Sequence, residues 1–256
     1  MRKVLLTTLW FLLCLFAKGQ EEAQAAFSEG VRHLKANNFL EAEKYFSEAI
    51  SKAKSERGLK MSYIFKGQAL NGQGKYDSAI VCFNHSIQID SLDPATYADR
   101  AKTYSYLKDY DKAIRDFNKV LQFDSSGKQA EGSYYYLGRI KMLQGEDDEA
   151  VKYFDLLLLY APTDSEGYFL RGTAKSNLMD IDGSIKDFDL AIKYNSKYTE
   201  AYANRGVQKI NKLPVKDKVG KKIDCLVDPC ADLIKARNMG DTSVEDMIFL
   251  YCLKCK

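Results

Sequence analysis

Apolar and polar positions follow the helical period along almost the whole of this chain. Tyr104 and Leu107, then Ala113, Ile114, Phe117, Val120 and Leu121, recur three and four apart, which lays one apolar stripe along each of two helices. Similar stretches of about a dozen residues follow one another, separated by short breakers. These are Asn37-Asn38, Gly72 and Gly74, Lys108-Asp109, Gly145-Glu146, and Asp180 with Asp182. Proline is confined to four positions, and Pro94 and Pro162 fall at boundaries between stretches. An interior proline costs a helix about 3 kcal/mol, so this distribution suits helices. Two helices joined by so short a turn lie antiparallel. The pattern predicts an all-α protein of at least ten helices, with hairpins turning near Asn38, Gly74, Asp109, Gly145 and Asp180 and no sheet.

The stretches are copies of one another. Phe46, Phe83, Phe117, Phe154 and Phe188 recur at spacings of 37, 34, 37 and 34 residues. Four residues before each stands a small residue: Ala42, Ala79, Ala113, Ala150 and Ser184. Sixteen before each stands another, Gly30, Gly67, Ala101, Gly138 and Gly172, and that series continues at Gly206. Small residues let the two helices approach closely, and the phenylalanine fills the space between hairpins. One hairpin cannot bury its stripe alone, so successive hairpins must stack.

These positions resemble the tetratricopeptide repeat, whose unit is 34 residues. The likeness runs from about Ala23 to Phe249, with Tyr76 and Tyr110 in the turns and Tyr63, Tyr97, Tyr134, Tyr168 and Tyr202 in the first helices. The closing Asp-Pro of the family is reduced to Asp90-Ser91, Asp124-Ser125 and Ala161-Pro162, and the longer units carry extra residues near 57–59 and 125–130. The resemblance implies a right-handed superhelical solenoid with units at about 23–59, 60–93, 94–130, 131–164, 165–198 and 199–240, the last holding an inserted loop at 214–224. It implies a non-catalytic scaffold whose first helices line a groove for a peptide or partner surface. By family geometry the groove should include Gln68, Lys102, Tyr106, Tyr135, Arg139, Phe169 and Thr173. The lysine and asparagine clamp that some members use on chaperone tails is not visible, which disfavours a co-chaperone role.

Charge adds a second register. Arg100, Arg171 and Arg205 occupy equivalent first-helix positions, and Asp116 and Asp187 follow the first two by sixteen residues. Units with Glu29, Lys66 or Leu137 in place of the arginine have Tyr45, Cys82 or Tyr153 in place of the aspartate. Residues that come and go together read as structural Arg–Asp pairs across each hairpin. Arg205 finds its aspartate only at Asp232, 27 residues on, which implies an eleven-residue insertion (27 − 16) rich in Lys216, Lys218, Lys221 and Lys222. Charge balance, 38 basic against 35 acidic residues, lacks the concentrated basic face of a nucleic-acid binder.

The two ends differ from the middle. Arg2 and Lys3 precede an apolar run from Val4 to Phe16 and a small-x-small site at Ala17-Lys18-Gly19. That is the form of a signal peptide over 1–19, cut after Gly19, and it predicts an exported, periplasmic or envelope-associated chain. The run is shorter than the roughly 20 apolar residues of a membrane span, so no span is expected after cleavage. At the other end Gly240 stops a helix, Ser243 and Asp246 have capping-box spacing, and a terminal helix at about 243–253 covers the stack. Cys225, Cys230, Cys252 and Cys255 cluster there, and in an exported chain they suggest disulfides, Cys230 with Cys252 and Cys225 with Cys255. A cysteine-rich metal or thiol-redox module carried on the repeats is the alternative. The Cys-Ala-Asp ending and the glutamine after the cleavage site resemble envelope repeat proteins of Bacteroidetes-type bacteria. Cys82 reads as a small buried residue. His33 and His85, on helices beside ordinary surface residues, belong to no catalytic motif, and there is no phosphate loop or HExxH. Neither an enzyme nor a cofactor is expected.

Overall fold

The structure is a computed structural model and describes residues 2–123, 127–213 and 228–252, with side chains from residue 18 onward. Among the described residues it is all-α, a series of paired antiparallel helices closed by a C-terminal helix, with no strand. The chain divides into two compact units, Met1–Ser133 and Tyr134–Lys256.

In unit 1, α1 (Arg2–Lys35) pairs with α2 (Phe39–Lys52), α3 (Glu56–Gly72) with α4 (Tyr76–Ile89), and α5 (Pro94–Tyr106) with α6 (Tyr110–Phe123). α1 runs unbroken through the Gly19 position, so its apolar first half and the first repeat helix are one element. No helix among the described residues is long and apolar enough to cross a membrane.

Helix α7 (Lys128–Leu143) spans the division. Unit 2 continues with α8 (Asp147–Tyr160), α9 (Ser165–Asn177) paired with α10 (Ile181–Tyr194), and α11 (Thr199–Lys212) paired with α12 (Cys230–Asn238). A short 3-10 turn, Thr242–Val244, leads into α13 (Glu245–Tyr251).

Each hairpin is built by the same three residues. Phe46, Phe83, Phe117, Phe154 and Phe188 have no exposed surface, and neither have Ala42, Ala79, Ala113, Ala150 and Ser184. A Cβ on Gly30, Gly67 or Gly138 would lie 2.6 or 2.7 Å from the ring of its own phenylalanine, closer than carbon atoms approach. The last hairpin uses Leu233 where the others have phenylalanine, against Gly206. Turns repeat in phase as well. Asn37, Gly74, Lys108, Gly145 and Met179 all have φ between 57° and 76°, the left-handed residue that ends a helix. Where the next helix needs a start, Asp93, Asp164 and Asp180 accept backbone N–H bonds at 3.2, 3.0 and 2.9 Å.

Two local expectations are corrected. Asp241, not Ser243, caps the terminal segment: its carboxylate accepts the Ser243 N–H at 2.9 Å, and a 3-10 turn precedes the helix proper. The histidines do not lie beside ordinary surface residues but against half-buried tyrosines. His33 stacks on Tyr45 at 5.3 Å and His85 on Tyr63 at 4.9 Å, each filling space beside its own hairpin.

Candidate protein-binding face

The arginines are the most connected side chains of the stack. Arg100 donates from Nε and Nη2 to the two carboxylate oxygens of Asp116, at 2.7 and 2.8 Å. Arg171 holds Asp187 in the same fork at 2.9 and 2.6 Å, and Arg205 holds Asp232 at 2.8 and 2.5 Å. Each guanidinium keeps one more N–H pair, and sequence reasoning missed where it goes. Nη1 reaches the second helix of the preceding hairpin: Asn84 at 2.6 Å, Asp155 at 2.7 Å and Asp189 at 2.6 Å. These acceptors lie sixteen residues before the arginine, as Asp116 and Asp187 lie sixteen after their own. The signal was present as a polar residue directly following Phe83, Phe154 and Phe188. Tyr97, Tyr168 and Tyr202, one helical turn earlier, lay their rings 5.4, 5.4 and 5.5 Å from the guanidinium carbons.

All three aspartates are buried. Burial does oppose the charge of Asp232, but hydrogen bonds from Arg205 and Lys209 outweigh it and hold the carboxyl below its ordinary value. Lys175 adds a third contact to Asp187 at 2.7 Å, and Lys209 one to Asp232 at 2.9 Å. In all three clamps every guanidinium nitrogen donates to a side chain of the stack.

The groove candidates divide by unit. In unit 1, Gln68 donates to Asp99 at 2.7 Å, and Lys102 lies 3.6 Å from the same carboxylate, so α3 and α5 consume both. Tyr106 stacks on Tyr76 at 5.4 Å yet stays half exposed. In unit 2, Tyr135 of α7 donates its hydroxyl to Glu166 of α9 at 2.5 Å and accepts from Arg139 at 3.1 Å. Burial, then the bond to Glu166, pushes the Tyr135 phenol up to about 12. Phe169 lies 4.7 Å from Tyr198, and burial likewise raises the Tyr198 phenol. Thr173 spends its hydroxyl on the carbonyl of Phe169 at 2.9 Å. The result is a cluster of half-buried aromatics and the exposed Glu166 carboxylate on α7, α9 and the cap of α11, with Arg139 exposed beside it. Tyr198 and Glu166 belong to this cluster and were not anticipated.

The C-terminal end is covalently closed. Cys230, at the start of α12, is joined to Cys252, just after α13, with Cα atoms 5.9 Å apart. Both are buried with Val244, Ile248 and Leu233. The basic insertion from Pro214, Cys225 and Cys255 lie outside the described residues. Cys82 is buried and unbridged, and burial pushes its thiol up. Among the described residues no three histidine, cysteine, aspartate or glutamate side chains are placed to hold a metal ion.

The tetratricopeptide repeat profile matches residues 62–91, 94–126 and 132–164. Among curated proteins, the small glutamine-rich tetratricopeptide repeat-containing protein 2 of Saccharomyces cerevisiae is 32% identical over 111 residues, covering 43% of this chain and 30% of that protein. The Hsp70-Hsp90 organizing protein of Triticum aestivum is 26% identical over 132 residues, 52% of this chain and 21% of its own length. This chain therefore spans less than a third of either relative. Two solved structures share its fold. A tetratricopeptide repeat protein from Parabacteroides merdae superposes with a TM-score of 0.64 at 16% identity, over 90% of this chain and 98% of that one. YrrB, described as a TPR protein with an unusual peptide-binding site, gives 0.61 at 20% identity, over 80% and 97%. Proteins built from this repeat are characteristically non-catalytic scaffolds for protein and peptide interaction. Residues 62–164 thus carry three consecutive units that fit the tetratricopeptide repeat profile, set in hairpins of one shared register.

Proposed function

We propose that this chain is a scaffold of the bacterial cell envelope, exported by its N-terminal segment, that docks a peptide or a partner surface on the first-helix face of unit 2. The observation that carries the reading is the cluster of Tyr135, Glu166, Phe169 and Tyr198 beside exposed Arg139. Aromatic side chains and arginine dominate the energetically important centres of protein interfaces. Here hydrogen bonds already fix two of them, so little rotamer freedom is left to lose on binding. The apolar run from Val4 to Phe16 and the disulfide at the far end support the envelope compartment, where such bonds persist. YrrB, of like fold, is described as having a peptide-binding site, which supports the class of ligand without identifying it.

Site-specific photo-crosslinking in the native envelope tests the proposal. A crosslinker at position 139 should capture one defined species, and Phe169→Ala should reduce the yield at least tenfold. The same crosslinker at Lys186, exposed on second helix α10, should not capture it. Equal capture from both positions, or none from 139, rejects the face.

A further inference from the structure

A cavity of about 420 Å³ opens in unit 1 where α1, the end of α2 and the start of α3 meet. Phe27, Ala49, Ala53 and Met61 supply its apolar wall, and Lys54 and Arg57 stand at its rim. Small-molecule sites occupy roughly 300–1,000 Å³ and combine an apolar lining with a few convergent polar groups, so size and lining both fit.

The repeat shows why this place is open. One hairpin further on, the corresponding junction of α3, α4 and α5 is shut. Lys60, seven residues before Gly67, reaches Asp90, seven after Phe83, at 2.8 Å, and Asp93 at 3.7 Å. Beneath that pair the Ser86 and Thr96 hydroxyls meet at 3.3 Å. In the first hairpin the residues at the same two places, seven before Gly30 and seven after Phe46, are Ala23 and Ala53. Methyl groups stand where the next hairpin has an ammonium and a carboxylate, and Ala49 stands where it has Ser86.

Charge selects the occupant. Two cations stand here, Lys54 in the connection and Arg57 in the first turn of α3, both exposed, and neither forms an ion pair among the described residues. Glu22 of α1 is taken by Lys52 at 3.3 Å. Residues 2–17 of α1 contain no aspartate or glutamate that could reach them. In the closed junction Lys60 is answered by Asp90 and Asp93. At the open one Glu56 lies between Lys54 and Arg57 in the chain, but no ion pair joins it to either cation among the described residues.

We propose that this cavity binds a small monocarboxylate with a compact apolar body, aromatic or branched. Its body rests on Phe27, Ala49, Ala53 and Met61, and its carboxylate meets Lys54 and Arg57, supplying the anion that Asp90 supplies one hairpin later. This site is distinct from the unit 2 face and does not depend on it.

Calorimetric titration of the purified full chain with 1-naphthoate tests the proposal, with 1-naphthalenemethanol as the neutral analogue. We expect one saturable site, at least tenfold weaker for the alcohol, and weakened at least tenfold by Lys54→Glu with Arg57→Glu. Ala53→Leu, which fills the space, should abolish it. The two rim residues are exposed, so the charge-reversed variant keeps the fold, which circular dichroism checks, and decides the matter even where Ala53→Leu misfolds. No saturable binding, equal affinity for acid and alcohol, or unchanged affinity in the charge-reversed variant overturns the proposal.

Discussion

Arg171 touches Asp187 twice and Asp155 once, and Lys175 shares the buried carboxylate. A buried charge with no partner is costly, so Asp187→Ala should destabilise the protein by about 3–5 kcal/mol. Asp155→Ala removes only an exposed partner and should cost under about 1 kcal/mol. Urea unfolding of the two variants measures the difference. The acid side of the stability profile follows from Asp232. Its folded carboxyl titrates below its ordinary value of 3.8, so the stability it contributes is complete above that value and is lost as the pH falls through the lowered one. Asp232→Asn should therefore flatten the melting temperature below about pH 4 relative to the wild type. The offset of sixteen was readable in the sequence because arginine and aspartate disappear together from the other units. The backward contact was not, because Asn84, Asp155 and Asp189 look like any polar residue at a helix surface. Asn118 occupies the same place ahead of Leu137, so the pattern holds only once the structure shows which way the guanidinium turns.

At the scale of a helix and its turn, the left-handed residue closing each first helix is the part most easily improved. Gly74 and Gly145 take φ values of 74° and 76° without a Cβ, but Met179 takes 63° with one and exposes 77% of its surface. Left-handed backbone costs a residue with a Cβ roughly 1–2 kcal/mol. Met179→Gly should accordingly raise stability by about 1 kcal/mol in thermal unfolding, less the entropy glycine loses on folding. The breakers marked the turns well, since glycine and asparagine advertise themselves, whereas Lys108 and Met179 reveal the same geometry only by their phase in the repeat. The terminal cap was harder still. Asp241, Ser243 and Asp246 are all good capping residues, and only the intervening 3-10 turn decides among them. The bridge between Cys230 and Cys252 closes a loop of 22 residues, which should contribute roughly 3 kcal/mol by restricting the unfolded chain. Cys230→Ser with Cys252→Ser should lose that amount in denaturant, and hydrogen exchange should rise first in α13, which has one neighbour to lean on.

Across the molecule, hairpins are held together in more than one way. The third, fifth and sixth use a buried ionic clamp, and the first stacks His33 on Tyr45 where the clamp would be. Stacked repeats gain stability from each unit and its neighbours, so clamps that reach backward by sixteen residues tie hairpins within a unit as well as helices within a hairpin. That the chain is a helical-hairpin array was legible in the sequence, because its periodicity is enforced by burial. Which first-helix residues remain free was not. Gln68 is consumed by Asp99 of the next hairpin, a contact that no single repeat reveals, and Lys102 by the same carboxylate one turn away on its own helix. The sixth hairpin carries one consequence further. Arg205 grips Asp232 in the same fork as its counterparts although 27 residues, not 16, separate them. The grip reads only where the two helices lie, not how much chain joins their tips. Clamped hairpins are thus natural sockets for foreign sequence. An eleven-residue epitope spliced between Lys108 and Asp109, where Arg100 and Asp116 hold the stem, should leave the melting temperature nearly unchanged. The same epitope spliced after Gly145, in a hairpin with Leu137 and Tyr153 at those places, should lower it clearly.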